Sequence, residues 1–297
     1  MDPAKWMFLL IAVIVDVFVE YPNAIHPTVW VGNIVVFLDR IYKRKNNAWD
    51  TLAGGFAAFA AYLAAFVLGI LVCRATGMGL VGALVYIYFL KSGFSAGLLI
   101  KKVKGCAVDD ESQLRRRVSE IVSRDVNVPR PFLYSAAIES GAENIVDSVV
   151  SPLFYYMIFG MPGILIYRAI NTADGIIGHK TDRYIRFGKV AATVDYVANY
   201  VPARLFAVII YVLYGREYRK QIRVKRGLRM NGKYPIALFS KLLNVRLVKK
   251  GSYVIGDGGL PSRDDVEKGA KLLLIVIYSF IFSALIISYV LGLPRWC

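Results

Sequence analysis

The stretch S-A-A-I-E-S-G-A-E-N-I-V-D-S-V-V-S-P, residues 135–152, opens the block around which this chain is organised. It places Glu139, Glu143 and Asp147 at i, i+4 and i+8, with Asn144 beside them. On a helix of about 3.6 residues per turn, these three carboxylates share one face. Like charges at this spacing repel. We therefore expect a cation, a proton or an arginine between them.

The block continues as L-F-Y-Y-M-I-F-G-M-P-G-I-L-I-Y-R-A-I, residues 153–170, a run that is apolar for long enough to cross a bilayer. Pro152 precedes this run and G-M-P-G interrupts it at 160–163, which excludes one straight helix. Irregular backbone is tolerated at membrane depth where protein or water covers it. We therefore predict a broken, re-entrant apolar hairpin over residues 149–170.

The composition is typical of a polytopic membrane protein, because 57% of the 297 residues are hydrophobic and the charges are confined to a few loops. We predict an all-α protein formed by a single integral-membrane domain over residues 1–297. Residues 244–256 alternate about K-K-G-S and predict a small β-hairpin. The four predicted spans lie near 6–19, 52–73, 79–100 and 272–293, and the short apolar segment 205–214 is predicted to be interfacial.

Charge predicts the orientation, because Lys and Arg number 37 against 21 acidic residues, a net charge of +16. The basic excess lies in loops 20–50, 101–148, 171–199 and 215–270, whereas loop 74–78 holds only Arg74. The positive-inside rule places the first four loops, with their amphipathic helices and the polar region 101–270, in the cytoplasm. The excess also suits anionic lipid or anionic substrates, and no nucleic-acid partner is expected.

The cysteines and histidines argue against several metal centres. Cys73, Cys106 and Cys297 are far apart, and the histidines are His26 and His179. A zinc, haem or iron–sulfur site is therefore a poor fit. A removed signal peptide is also a poor fit, because an acid interrupts the run 6–19 and no small-residue cleavage site follows.

Seven stretches of the sequence match a known family pattern in the same order: H-P-T-V-W-V-G (26–32), S-R-D (123–125), A-A-I-E-S-G-A-E-N-I-V-D-S-V-V-S-P-L-F (136–154), Y-R-A-I-N-T-A-D (167–174), D-R-Y-I-R-F-G (182–188), D-Y-V-A-N-Y-V-P-A-R-L (195–205) and G-S-Y-V-I-G-D-G (251–258). By these stretches the sequence resembles the CobD/CbiB family of cobalamin biosynthesis, the membrane-bound adenosylcobinamide-phosphate synthases, over nearly its whole length. The resemblance implies ATP-dependent, magnesium-assisted amide formation between adenosylcobyric acid and (R)-1-amino-2-propanol or its O-phosphate. It also implies a multi-pass protein of the cell membrane that works beside other membrane enzymes of the pathway.

Three departures from the family pattern stand out. E-Y-P at 20–22 replaces the usual G-[DE]-P, and His179 stands where the family commonly has tyrosine. The S-P-N-x-G block survives only as R-M-N-G-K at 229–233. That loop is one plausible place to hold the amine, so the choice between aminopropanol and its phosphate stays open.

The resemblance and the acid spacing together predict Glu139, Glu143, Asp147 and Asp174 as catalytic residues. The first three would provide magnesium ligands and a general base, because hard oxygen ligands suit that ion. The sequence has no P-loop, so phosphoryl transfer would rest on positioning, metal and cationic side chains. The predicted substrate-binding residues, which complete a polar wall and hold phosphates, are His26, Asn144, Asn171, Arg183, Tyr184, Asp195, Asn199, Arg204 and Asn231.

Other interpretations remain open at this point. The acids of residues 139–147 could pair with arginines and hold the broken hairpin rather than act on a substrate. A transporter also uses broken mid-membrane helices and intramembrane charge, although this chain shows no internal repeat. A non-catalytic membrane scaffold or regulator of related fold would need the spans but would tolerate substitution of the acids.

Overall fold

The computed structural model describes residues 5–45, 47–214 and 230–294, which are largely helical. The chain forms two compact units. Unit 1 contains the described parts of Met1–Ser95, Ser151–Tyr200 and Phe282–Cys297, and unit 2 contains those of Ala96–Val150 and Val201–Ile281. The helices are α1 Lys5–Phe18, α2 Pro27–Ile41, α3 Ala48–Ala75, α4 Leu80–Ser92, α5 Gly97–Gly105, α6 Glu111–Ser119, α7 Arg130–Ile145, α8 Ser151–Ile177, α9 Lys189–Ala198, α10 Tyr200–Tyr214, α11 Met230–Leu243 and α12 Arg263–Leu291.

Four helical segments of the described chain are long and apolar enough to cross a membrane. They are Ala48–Met78, Leu80–Gly105, Arg130–Ile177 and Arg263–Leu291. The first, second and fourth overlap the predicted spans near 52–73, 79–100 and 272–293. The all-helical, multi-pass membrane architecture predicted from the sequence is thus confirmed.

The remaining predicted span, near residues 6–19, is not among these four segments. This stretch forms α1, which has 14 residues. At about 1.5 Å per residue it measures roughly 21 Å, which is short of the roughly 30 Å hydrocarbon core. The long segment Arg130–Ile177 stands in its place. The single-domain boundaries and the re-entrant course of 149–170 stay predictions.

The segment Arg130–Ile177 is interrupted twice. A π-helical turn, Val146–Val150, separates α7 from α8. Gly160 then breaks α8 with φ 64° and ψ −149°, and Gly160 and Pro162 are both buried. The G-M-P-G motif therefore breaks the helix where the sequence predicted, and protein covers the irregular backbone.

Pro129 and Pro131 have a different role from the predicted one. The apolar spacing of Leu114, Val118, Ile121 and Val122 predicts a helix that these prolines stop, but α6 already ends at Ser119. Pro129 occupies the N-cap position of α7 and Pro131 lies in its first turn. Proline is tolerated there because the first N–H groups of a helix lack intrahelical acceptors. The two prolines therefore start α7.

Helix α8 packs closely against α3 in unit 1 at a glycine. A Cβ atom on Gly69 would lie 2.5 Å from Pro162 Cα and 2.8 Å from Pro162 N. Backbone atoms cannot move aside for the added methyl group, whereas a flexible side chain could. Small residues at such crossings let membrane helices approach closely, so Gly69 fixes the distance between these helices.

Gly69→Ala is expected to destabilise the protein by about 1–3 kcal/mol, because the added methyl overpacks the contact with Pro162. Gly175→Ala is the matched control, since Gly175 is exposed in α8 and a Cβ there meets nothing within 4 Å. Thermal unfolding in detergent measures both. Equal midpoints for the two variants would contradict the close crossing.

Two charged residues that interrupt apolar segments of unit 1 pair with each other. Lys91 Nζ lies 3.4 Å from Asp16 Oδ1, and both side chains are buried. The same Nζ lies 4.6 Å from the centroid of the Tyr21 ring. Charges at membrane depth are costly unless they are paired. A lysine in the middle of an apolar segment is expected either to be buried against a partner or to extend to the interface, and here Asp16 is that partner.

Unit 2 contains the predicted β-hairpin. Strand β1, Leu247–Lys249, pairs antiparallel with β2, Tyr253–Ile255, and Lys249 faces Tyr253. The turn contains Gly251 with φ 73°, a conformation that favours glycine. The Val248 N–H donates to Ser135 Oγ over 2.7 Å, which fixes the hairpin to α7.

Candidate functional site

The acidic face of α7 lines a cavity of about 170 Å³ in unit 2. Glu139, Glu143, Asn144 and Asp147 all line it, so these side chains share one face as predicted. Asp147 remains on that face although it lies in the π turn. The opposite walls come from two other segments and carry Ser123, Arg124, Lys249 and Tyr253.

Glu139 is the buried member of the acidic face, with 3% of its surface exposed. It accepts hydrogen bonds from Ser135 Oγ at 2.6 Å and from the Tyr253 hydroxyl at 2.7 Å. Arg124 Nη2 lies 3.2 Å from Glu139 Oε2, the same oxygen that accepts from Tyr253. A buried carboxylate needs such partners. Of the cation, proton or arginine expected among these acids, the structure provides Arg124, which pairs with Glu139.

Tyr253 remains protonated beside Glu139. Burial raises the pKa of its phenol, and the adjacent Glu139 carboxylate raises that pKa further. The phenol therefore acts as a donor to Glu139 at all physiological pH values. Glu139 thus joins α7, the hairpin and the segment that follows α6, and it acts as an anchor for the cavity walls.

The remaining acidic-face residues are more open to the cavity. Glu143 is exposed, and Asn144 and Asp147 are half-buried. The Asn144 amide nitrogen donates to the Ser140 carbonyl at 2.8 Å and to Ser140 Oγ at 3.2 Å. That bonding leaves the amide oxygen as the metal-binding or acceptor atom of Asn144.

The segment that holds Asn231 lies beside Glu143. A Cβ atom on Gly232 would lie 3.1 Å from Glu143 Oε1. Asn231 Oδ1 accepts a hydrogen bond from Arg204 Nη1 at 3.3 Å. Unit 2 therefore brings together the predicted amine-holding segment and Glu143, and it pairs two of the predicted substrate-binding residues.

The acidic face fits magnesium only in part. Within the described ranges, no three His, Cys, Asp or Glu side chains converge as a ready-made metal site. The oxygens of Glu139 already meet a serine, a tyrosine and an arginine. Magnesium usually takes one or two carboxylates together with water and substrate phosphates. Asp147 and the amide oxygen of Asn144 fit that pattern, whereas Glu139 does not.

Unit 1 holds the other predicted polar residues, and three of them form a network in which Asp195 and Asn199 are buried and Asn171 is half-buried. Asn199 Nδ2 donates to the Asp195 carboxylate at 3.3 Å, so the two share one face, as their i, i+4 spacing predicts. Asn171 Nδ2 lies 3.5 Å from Asp195 Oδ1. Ser151 and Tyr167 both donate to Asn199 Oδ1, at 2.6 Å and 2.9 Å. These bonds position α9 against α8.

Asp174 and His26 lie elsewhere in unit 1. Asp174 is in the last turn of α8, where its carbonyl accepts from the Gly178 N–H at 2.7 Å. His26 caps α2, because its Nδ1 accepts from the Thr28 N–H at 3.2 Å. Burial, with the cations Arg168 and Lys91, lowers the pKa of His26 to about 4. A neutral capping role follows for this histidine at pH 7.

His26 should make stability depend on pH. Its folded pKa of about 4 lies below the ordinary 6.5, so the stability it contributes is present above pH 6.5 and is lost as pH falls towards 4. Asparagine also caps helices but does not titrate. We expect the melting temperature of the wild type to fall more between pH 6.5 and 4.5 than that of His26→Asn. Parallel curves would contradict this role.

Arg183 and Tyr184 bind an acid that the sequence analysis did not single out. Asp39, which is buried, accepts from Arg183 Nη2 at 2.9 Å and from the Tyr184 hydroxyl at 3.1 Å. Arg44 also pairs with Asp39, and its guanidinium carbon lies 3.7 Å from the Phe187 ring centroid. Arg183 and Tyr184 therefore bind the C-terminal end of α2 within unit 1.

A family model described as CobD/Cbib protein matches residues 9–273. The chain belongs to the CobD/CbiB family. Relatives described as probable cobalamin biosynthesis protein CobD include one from Pyrococcus furiosus, 39% identical over 95% of this chain and 99% of its own length. Those from Archaeoglobus fulgidus and Methanocaldococcus jannaschii are 35% and 32% identical, over 94% and 96% of this chain and 94% and 97% of their own lengths. No solved structure matches.

Two cavity residues of this CobD/CbiB protein were missed in the sequence analysis. Arg124 and Tyr253 belong to the S-R-D and G-S-Y-V-I-G-D-G stretches. Both stretches supported the resemblance, but neither received a chemical role. Their presence in family-like stretches was the signal that could have identified them.

Proposed function

We propose that this CobD/CbiB protein is the ligase of cobalamin biosynthesis that joins adenosylcobyric acid to (R)-1-amino-2-propanol or its O-phosphate. ATP drives the reaction, and the product is adenosylcobinamide or adenosylcobinamide phosphate. Family membership and the names of the relatives support a place in this pathway. The observation that carries the proposal is the unit 2 cavity, where Glu143 and Asp147 face Arg124 and Lys249.

The reaction must turn a carboxylate oxygen into a leaving group. In the proposed sequence, a carboxylate oxygen of the corrinoid attacks the γ-phosphorus of ATP and ADP departs. The amine nitrogen then attacks the acyl carbon, and phosphate departs with the former carboxylate oxygen. The amine loses a proton to a base, which completes the balance. Such chemistry depends mainly on positioning and on charge stabilisation.

The cations of the cavity suit the phosphates. A guanidinium has five N–H donors in a planar fork, so Arg124 can hold Glu139 and a phosphate oxygen together. Lys249 adds a second positive charge from the hairpin. Charge-assisted bonds of this type are the strong ones. Glu139 in this scheme is a positioning residue, because it fixes Arg124.

Glu143 is the proposed general base. It lines the cavity and lies beside Gly232, in the segment where we propose that the amine binds. A base within reach of the attacking amine contributes about 10²–10⁴-fold to such reactions. Magnesium, when bound with the nucleotide, would supply positive charge to the phosphate oxygens, and Asp147 with Asn144 would hold it.

In unit 2, Arg204 donates to Asn231, which lies in the segment proposed to hold the amine. We also propose that the site faces the cytoplasm, because the loops that carry it have the basic excess. The predicted substrate contacts of unit 1, which stay predictions, are His26, Asn171, Asp174, Arg183, Tyr184, Asp195 and Asn199.

Detergent-purified protein tests the proposal when it is incubated with adenosylcobyric acid, Mg·ATP and either amine. Mass spectrometry of the corrinoid should show the mass gain of one amide, and the productive amine identifies the substrate. Detergent removes any gradient, so ATP-dependent product excludes a transporter. Folded protein that forms no product with either amine would contradict the ligase and favour a scaffold.

A further inference from the structure

A second cavity of unit 2 lies next to the acid-lined one and has about 240 Å³ of space. The two cavities share Val122, Arg124, Ala136 and Lys249 as lining residues. Each space alone is smaller than the roughly 300 Å³ at which small-molecule sites begin, so a ligand of that size would need both. The side chains that line only the second cavity are mainly apolar: Val118, Val126, Val128, Phe132 and Leu133.

The chemistry changes in order across the two cavities. The second cavity is mainly apolar, although Asp125 and Lys250 also line it. It contains one aromatic ring, Phe132, with Lys250 Nζ at 4.6 Å from the ring centroid. Arg124 and Lys249 stand where the cavities meet. The acids Glu143 and Asp147 lie in the first cavity beyond them. A complementary ligand has a flat apolar end, a polyanionic middle and a magnesium-binding far end.

We propose that the second cavity binds the base of a nucleoside triphosphate whose phosphates pass Arg124 and Lys249 into the acid-lined cavity. This inference rests on the proposed function, since it locates the nucleotide of that reaction. Of the three reactants, only ATP joins a small flat base to a polyphosphate. A corrin ring is too large for this space, and the amine has no aromatic group. The adenosyl group of the corrinoid carries adenine but no phosphate to meet Arg124 and Lys249.

Asp125 gives the cavity a means of choosing the base. It lines the second cavity, and its Oδ1 accepts from the Asn127 N–H at 2.8 Å, which shapes the loop after α6. A carboxylate accepts hydrogen bonds and, when ionised, donates none. The exocyclic amino group of adenine is a donor, whereas guanine presents a carbonyl at that position. The cavity is therefore expected to prefer ATP to GTP.

Photolabelling with 8-azido-ATP and magnesium tests the site directly on the full-length protein in detergent. Mapping by mass spectrometry should place the label within residues 118–136 or 248–250, and excess ATP should remove it more effectively than excess GTP. Val128→Trp, a change in a half-buried loop residue that lines the cavity, should fill it and lower labelling at least tenfold.

Val254→Trp is the matched control, because Val254 is exposed on β2 and lines neither cavity. It should label as the wild type does. Label at other residues, no label on the wild type, or full labelling of a folded Val128→Trp variant would overturn the proposed nucleotide cavity. Amide formation is scored separately: product formed without label here rejects this site alone, and label without product rejects the ligase alone.

Discussion

Glu143→Gln is expected to lower the kcat of amide formation by about 10²–10⁴-fold, the range in which general-base catalysis contributes. Glutamine keeps the shape of the side chain but cannot accept the amine proton. Glu143 is exposed at the cavity, so the variant should fold normally. Turnover at saturating substrates and the melting temperature, both in detergent, measure the two effects.

Glu267→Gln provides the matched control for that loss. Glu267 pairs with Lys271 at 3.4 Å on the exposed side of α12, and exposed pairs contribute about 1 kcal/mol or less. Its kcat should equal that of the wild type. A folded Glu143→Gln variant with wild-type kcat would remove Glu143 from the chemistry and revive the interpretation of the acids as structural.

Arg124→Leu is expected to destabilise the fold by about 3–5 kcal/mol, because it leaves the buried Glu139 carboxylate without its cation. The value should fall at the lower end, since 24% of the Arg124 side chain is exposed and solvent screens the pair. Chemical or thermal unfolding in detergent measures the loss.

The double variant Arg124→Leu with Glu139→Gln isolates the charge pair. Glutamine can still accept from Tyr253, but it carries no charge, so most of the lost stability should return. A double-mutant cycle over Arg124 and Glu139 measures this recovery as the coupling energy between the two side chains. Additive losses in the double variant would show that Arg124 stabilises unit 2 by packing rather than by neutralising Glu139.

Local patterns allowed much of this structure to be predicted. The shared face of Glu139, Glu143 and Asp147 follows from helical periodicity, and the break at Gly160 follows from G-M-P-G. The hairpin follows from alternation about a glycine turn. Each of these features depends on neighbours within a few residues, so the sequence alone specifies it.

The partners of the acids depend on tertiary structure. Tyr253 lies 114 residues from Glu139, and no spacing rule connects them. Arg124 was missed because the sequence predicts a helix through Leu114 and Val122 that continues to the prolines, whereas α6 ends at Ser119. Asp39 had a local signal that was overlooked, since Val31, Val35 and Asp39 lie at i, i+4 and i+8 on the buried face of α2.

The most direct test of the ligase follows an oxygen atom. Adenosylcobyric acid labelled with ¹⁸O in the reacting carboxylate is turned over with Mg·ATP and the productive amine, and the released phosphate is analysed by mass spectrometry. The proposed sequence predicts that one labelled oxygen leaves the corrinoid and appears in inorganic phosphate as the amide forms. Amide product with unlabelled phosphate, or no amide from folded protein, would contradict it.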